Sequence, residues 1–312
     1  MNENREKNFI SAVVYVHNNE NDIQTFLERL HGVLDDNFLN FEIICVNDAS
    51  SDRSADRIKS ACDRFSGAPL SLIHMGHYHG LELSMNAGVD LAIGDFVFEF
   101  DTIDMDYDIS LIMEVYTRSL TGFDIVGAAP KNRISGSSRF FYRLFNRNFD
   151  GPNKLRTERF RILSRRAINR VHSISKTIPY RKAIYASCGL AMDTLEYGNA
   201  ANARRKSRDE NRIRQSVAID SLMLFTDVAF KFSITMAFLM IGFTVFMAVY
   251  ALVFFIMGNA IEGWTTTMLF IAFGFFGLFG ILAIVIKYLS LILDLIFKKE
   301  KYYIMSIEKI SK

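Results

Sequence analysis

Residues 94–106 read Gly94-Asp95-Phe96-Val97-Phe98-Glu99-Phe100-Asp101-Thr102-Ile103-Asp104-Met105-Asp106. An apolar, β-prone run ends abruptly in acids at alternating and near-alternating positions. A strand that delivers carboxylates to its carboxyl end is how an open α/β sheet places a metal or a ligand. The same letters suit a buried strand followed by an acidic turn, and the surrounding chain decides between the two.

On the amino-terminal side, strands and helices alternate at short spacing. Ile10–Val16 is a β-branched apolar run that ends in the polar turn His17-Asn18-Asn19-Glu20. Asn21 is placed to cap the next helix, with Gln24 at the capping-box position. Through about Asp22–Leu34 the apolar residues Ile23, Phe26, Leu27, Leu30, Val33 and Leu34 recur at helical spacing. Phe41–Val46 reads as a second strand, broken by Asn47–Asp52, a stretch rich in turn and cap residues. A helix to about Phe65, a strand over Leu70–His74 and a helix over Gly80–Ala92 follow. Beyond the acidic stretch, Ile109–Leu120 reads as a helix and Asp124–Ala128 as a strand. This alternation implies βαβ units and a mainly parallel sheet.

The region from Lys131 to Lys182 is less regular and rich in arginine. Arg139, Arg143 and Arg147 recur every four residues and so share one helical face. Arg156, Arg159, Arg161, Arg165, Arg166 and Arg170 come next, then Arg181-Lys182. A charge run is usually a solvated face. The density here favours an anion site, because guanidinium forks bind phosphate in a bidentate way. A second basic cluster, Arg204-Arg205-Lys206-Ser207-Arg208 with Arg212 and Arg214, runs into Val217–Lys231, as an element lying at a membrane surface would.

Residues 232–257 and 265–286 carry no charged side chain. About 20 apolar residues cross the ~30 Å hydrocarbon core as a helix. Both outer flanks are basic and the intervening loop has no Lys or Arg, so the positive-inside rule makes this a hairpin that enters from and returns to the cytoplasm. Gly274, Gly277 and Gly280 offer a small-residue surface for helix packing within the hairpin or in a homo-oligomer. The tail Tyr302–Ile307 is expected to return as a cytosolic strand or to lie on the membrane. The net charge of +2 argues against nucleic-acid binding. Cys45, Cys62 and Cys188 have no disulfide or metal-ligand spacing and read as reduced thiols. The polar start, followed directly by a strand, gives no expectation of a signal peptide. The organisation expected is a cytosolic α/β domain over 1–200, basic amphipathic interfacial helices over 201–231, two transmembrane helices within 232–294 (about 232–257 and 265–288) and a tail over 295–312.

In order, Ile10–Glu20, Glu42–Asp52, Met85–Asp101, Arg139–Arg165 and the hairpin resemble the polyprenyl-phosphate glycosyltransferases of glycosyltransferase family 2. The resemblance covers nearly the whole chain. It implies the GT-A (nucleotide-diphospho-sugar transferase) fold in the inner, cytoplasmic membrane, with the catalytic domain in the cytoplasm. It also implies inverting transfer from a UDP- or GDP-sugar, with Mg2+ or Mn2+, to a polyprenyl (undecaprenyl) phosphate for cell-envelope glycan modification. Carried over, Asn18, Glu20, Asp48, Gly80 and Asp101 are the expected nucleotide contacts, and Asp48 stands at the family's Asp-Asp-Gly-Ser turn. Asp101 is the first acid of Asp-x-Asp. Ile103 occupies the second position, which leaves Asp104 or Asp106 to complete a metal set. Arg159 replaces a family aspartate sometimes proposed as base, with Glu158 beside it as the catalytic candidate. Arg139, Arg143, Arg161 and Arg181 are the candidates for the lipid phosphate. These departures keep open an alternative, a non-catalytic nucleotide-binding membrane partner of the same fold with a degenerate metal site. On the enzyme reading, Asp101→Asn is expected to abolish sugar transfer and leave folding intact.

Overall fold

The computed structural model describes residues 5–65, 69–131, 136–149, 153–174, 180–198, 226, 228–256, 263–297 and 302–310. The basic cluster at 204–214 and the basic flank at 298–301 lie outside them. Met1–Ala218 with Glu300–Lys312 forms one compact unit, and Ile219–Lys299 a second.

In the first unit the strands are β1 (Ile10–Val16), β2 (Phe41–Asn47), β3 (Leu70–Met75), β4 (Phe96–Phe100), β5 (Ile125–Pro130), β6 (Phe160–Ser164), β7 (Met192–Tyr197) and β8 (Ile304–Ile310). The helices are α1 (Ile23–Asn37), α2 (Ser54–Cys62), α3 (Leu81–Leu91), α4 (Leu111–Leu120), α5 (Gly136–Asn148), α6 (Arg165–Ile174) and α7 (Arg181–Ser187). Helix α1 starts without the expected capping box. Its cap residue is Asp22, which makes no side-chain cap bond, and Gln24 instead donates to Glu28 one turn on (3.1 Å).

The described strands form one sheet in the order β7-β5-β6-β4-β1-β2-β3-β8. Pairing is parallel among β4, β1, β2 and β3 and between β5 and β7; β6 is antiparallel to both its neighbours, and β8 is antiparallel to β3. Strands β2 and β3 step outward from β1 on one side while β4 lies on the other. The loops leaving β1 and β4 therefore diverge, and this switch point leaves a crevice at the carboxyl edge of the sheet.

Side chains alternate between the two faces. Ile10, Ala12, Val14, Phe98, Phe100, Phe160 and Ile162 join α1, α2 and α4 in the main apolar core. On the opposite face α3 lies close against the sheet. A Cβ added at Gly88 would sit 2.3 Å from Val13 Cγ1 and 2.8 Å from Val46 Cγ2. Val97, Glu99 and, by the period of the strand, Asp101 belong to this second face. The strand expected of the tail is present: residues 304–310 pair along β3.

The second unit contains α8 (Val228–Ile256) and α9 (Trp264–Phe297). A Cβ at Gly277 would meet Met240 Sδ at 2.6 Å, so this glycine lets the two helices approach; Gly274 and Gly280 have nothing within 4 Å. Phe243 packs on Phe270 and Phe273. Among the described residues no helix is long and apolar enough to cross a membrane.

Gly88→Ala sets two effects against each other. Alanine gains up to about 1 kcal/mol of helix propensity, whereas overpacking a tight contact costs roughly 1–3 kcal/mol. With both valines fixed in the sheet the loss wins, and the urea midpoint of the variant is expected to fall. A midpoint at or above wild type would show that α3 has room to move off the sheet.

Candidate active site

Three loops meet at the carboxyl edge. The turn after β1 and the turn after β2 are tied together: Ser50 Oγ accepts from the Asn18 amide (3.1 Å), Asn18 Oδ1 from the Ser51 amide (2.8 Å), and Glu20 Oε2 from the Arg53 amide (3.0 Å). Asn18 and Ala49 both take left-handed backbone conformations, at φ 52° and 48°. Asparagine tolerates this, while alanine carries a cost of roughly 1–2 kcal/mol.

Asp48 is fully buried and holds the third loop. Its carboxylate accepts from the His79 amide (2.8 Å), the Gly80 amide (2.8 Å) and the Tyr15 hydroxyl (3.0 Å). Burial, then Asp48 beside it, pushes the Tyr15 hydroxyl far above its usual pKa, so it stays a donor. Gly80 lies at φ 82°, ψ 168°, a region open essentially to glycine alone. Four expected nucleotide residues, Asn18, Glu20, Asp48 and Gly80, thus belong to one hydrogen-bonded set of loops. The Asp48 carboxylate accepts from three protein donors and so fixes the β3–α3 turn against β1 and β2.

A second cluster surrounds Asp101. Its two oxygens accept from Arg161 Nη2 and Arg181 Nη2, each at 2.7 Å, with Lys182 Nζ at 3.8 Å. Arg161 also bonds Glu99 and reaches Glu158 Oε2 at 2.8 Å. Arg181 contacts Glu99 (2.9 Å) and Glu82 (3.1 Å), and the Tyr185 hydroxyl donates to Glu99 (2.8 Å). The register accounts for this grouping. Arg161 on β6 lies directly between Glu99 on β4 and Gly127 on β5, and a Cβ at Gly127 would come within 2.7–2.9 Å of the Glu158 side chain. Glu82, two residues after Gly80 on α3, links the Asp101 cluster to the Asp48 loops.

The expectation for the lipid phosphate divides here. Arg161 and Arg181 have 0% exposure and are committed to carboxylates, which corrects their assignment as phosphate ligands. A guanidinium stays charged at any accessible pH, so it cannot be left buried without anionic partners. Arg139, Arg143 and Arg147 lie exposed along α5, as their spacing implied.

The metal set also changes. Asp106 is buried with its oxygens taken by Arg159 (2.8 and 3.2 Å) and by the Tyr197 hydroxyl (2.7 Å). Ile103, at the position of the family's second acid, is packed in the core. Asp104 bonds Thr102 Oγ1 through its amide (3.2 Å), and among the described residues its carboxylate has no ion pair. Among the described residues, too, no three His, Cys, Asp or Glu side chains are grouped to hold a metal ion. The donor set in this arrangement does not fit Mg2+ or Mn2+, because two of the three carboxylates are already saturated by fixed cations and a tyrosine.

Glu82, Glu99 and Tyr185 were not among the candidate site residues read from the sequence, and Lys182 entered only as part of the basic run. The signal for Glu99 was the strand period, which puts 97, 99 and 101 on one face. A charged residue inside a buried strand requires a partner.

The model of Glycosyl transferase family 2 matches residues 11–188. An uncharacterized glycosyltransferase of Bacillus subtilis is 24% identical over 82% of this chain and 80% of its own length. An uncharacterized glycosyltransferase of Synechocystis sp. is 27% identical over 58% of each chain. An undecaprenyl-phosphate 4-deoxy-4-formamido-L-arabinose transferase of Aeromonas hydrophila is 28% identical over 42% of this chain and 39% of its own length. Among solved structures, a mannosyltransferase from Pyrobaculum calidifontis in complex with GDP-Man and Mn2+ is similar in fold, with a TM-score of 0.52 and 12% identity over 95% of this chain and 89% of that one.

Burial alone would raise the pKa of Asp101, but the charges of Arg161, Arg181 and Lys182 outweigh it and hold the carboxyl well below the usual range. Its ion pairs therefore contribute in full above about pH 3.9, the ordinary aspartate value, and are lost as pH falls through the lower folded-state value. These pairs predict a stability cost for Asp101→Asn, against the expectation that folding stays intact. Removing one partner from a buried network costs roughly 3–5 kcal/mol. Urea unfolding should show a loss of that size at pH 7, narrowing between wild type and variant in strong acid. Equal stability at pH 7 would contradict the role given to Asp101.

Proposed function

Because the chain belongs to glycosyltransferase family 2, we propose that this glycosyltransferase moves a sugar from a nucleoside diphosphate donor, a UDP-hexose, to undecaprenyl phosphate at the cytoplasmic face of the membrane. The observation that carries the reading is the joining of the Asp48 loops and the Asp101 cluster through the first turn of α3, at the switch-point crevice of a family 2 domain. Family membership favours catalysis over the non-catalytic alternative. The printed name of the Aeromonas relative supports the acceptor.

The membrane location is supported by the charge-free runs 232–257 and 265–286 and by the exposed apolar side chains of both helices, among them Phe238 and Phe276, each 69% exposed. Burial of apolar area in lipid is the stable state for such surfaces.

The chemistry needs little from a base. A phosphate monoester has its second pKa near 6 and is largely dianionic at neutral pH, so the acceptor oxygen is already nucleophilic. Glu158 can then stay in its ion pair with Arg161 and act by positioning. Arg139 and Arg143, the exposed pair among the four expected arginines, are left to meet the acceptor phosphate.

Two outcomes are expected. Purified full chain in detergent, given labelled UDP-sugars or GDP-sugars in turn with undecaprenyl phosphate, should yield organic-extractable label from one donor; label that never leaves the aqueous phase for any donor sinks the acceptor assignment. In the same assay, Arg139→Ala with Arg143→Ala should raise KM for the lipid about tenfold and leave KM for the donor unchanged. A rise in donor KM instead would move these arginines to the nucleotide side.

A further inference from the structure

We propose that β8, reached only after the chain has passed through the second unit, is a positioning element of the donor site, acting through Tyr303 and His79. The inference rests on the reading above that the donor nucleotide lies at the Asp48 turn. Over Ile304–Ile310 the strand pairs with β3 as any edge cover would. The register then shifts at His74/Met75. Past that break the backbone of Tyr303 leaves the regular ladder and brackets the β3–α3 turn from both sides. Its carbonyl accepts from the Gly76 amide (2.9 Å), and its N–H donates to His79 Nε2 (3.1 Å).

The two bonds fix the histidine. With Nε2 accepting, the ring proton is on Nδ1, which donates to the His77 carbonyl (2.6 Å). The rings of His77 and His79 stack at 3.9 Å. The amide of this same His79, and the next amide at Gly80, hold the two oxygens of Asp48. Tyr303, His79 and Asp48 therefore form a continuous chain of hydrogen bonds from the returning strand to the loops expected to hold the nucleoside. Covering the edge of β3 explains residues 304–310. It does not explain two further bonds aimed at a turn beyond the strand.

Tyr302, the neighbouring residue, supplies the control. Its hydroxyl donates to Asp90 Oδ2 (2.5 Å), near the far end of α3 from Gly80, so it anchors the same segment without touching the Asp48 chain. UDP and, separately, GDP are titrated calorimetrically into the full chain in detergent. His79→Phe and Tyr303→Pro should each raise Kd at least tenfold for the nucleotide that wild type binds. They should raise donor KM by a similar factor, with kcat within twofold. Tyr302→Phe should leave Kd within twofold even if the melting temperature falls. His79→Phe keeps the strand pairing and decides the matter if Tyr303→Pro does not fold. Wild-type Kd in His79→Phe, or equal weakening by Tyr302→Phe, overturns the inference and leaves the transferase reading untouched. Wild type that binds neither nucleotide overturns both.

Discussion

Two guanidinium groups that cannot lose their charge are enclosed inside the first unit, and the arrangement around them follows from that constraint. Arg161 contacts Glu99, Asp101 and Glu158, and Arg181 contacts Glu82, Glu99 and Asp101. Glu99 and Asp101 are shared, so neither arginine can be satisfied without the other's acids. Buried ion pairs add little net stability, because desolvation consumes most of the Coulomb gain. Breaking one is costly, and that asymmetry selects a single register for β4 against β6 and a single placement of α7.

This constraint also sets what the carboxyl edge can do. An aspartate at a strand end is a metal ligand only if its lone pairs are available, and here those of Asp101 and Asp106 face cations and, at Asp106, a tyrosine hydroxyl supplied by the chain. The same edge has been drawn together from β1, β2, β3, β4 and β6. Helix α3 couples its two halves, with Gly80 against Asp48 and Glu82 against Arg181. A change in the tilt of this short helix would be felt in both clusters at once.

Much of the fold was legible because it rests on local patterns. The apolar runs at Ile10–Val16 and Phe41–Val46, the helical spacing from Ile23 and the strand at 96–100 all report burial directly. The loops carrying Asn18, Glu20 and Asp48 were legible too, since turn chemistry is written in short polar clusters. The partners of Asp101 were not. They lie on β6, α3 and α7, and only the sheet register brings Arg161 opposite Glu99. Arginine density pointed to an anion site without distinguishing a phosphate from a carboxylate of the same chain; burial distinguishes them. Capping at Asn21 failed for a related reason: Asn19, Ser54 and Asp52 hold the start of α1 through contacts between loops. Of the three glycines in α9, Gly274, Gly277 and Gly280, only Gly277 lies against the neighbouring helix, which composition alone could not choose.

The pairing of β3 with β8 joins residues as distant in the chain as Leu70 and Ile310. During synthesis β3 is made early, yet its outer hydrogen-bonding edge has no partner until residues 304–310 leave the ribosome. Contacts of such separation close late in folding, and an open edge strand is a template for joining another chain. A nascent chain of this kind must cross the interval of hairpin synthesis with one side of its sheet unfinished. Until that edge is covered, neighbouring nascent chains can complete each other's sheets through it.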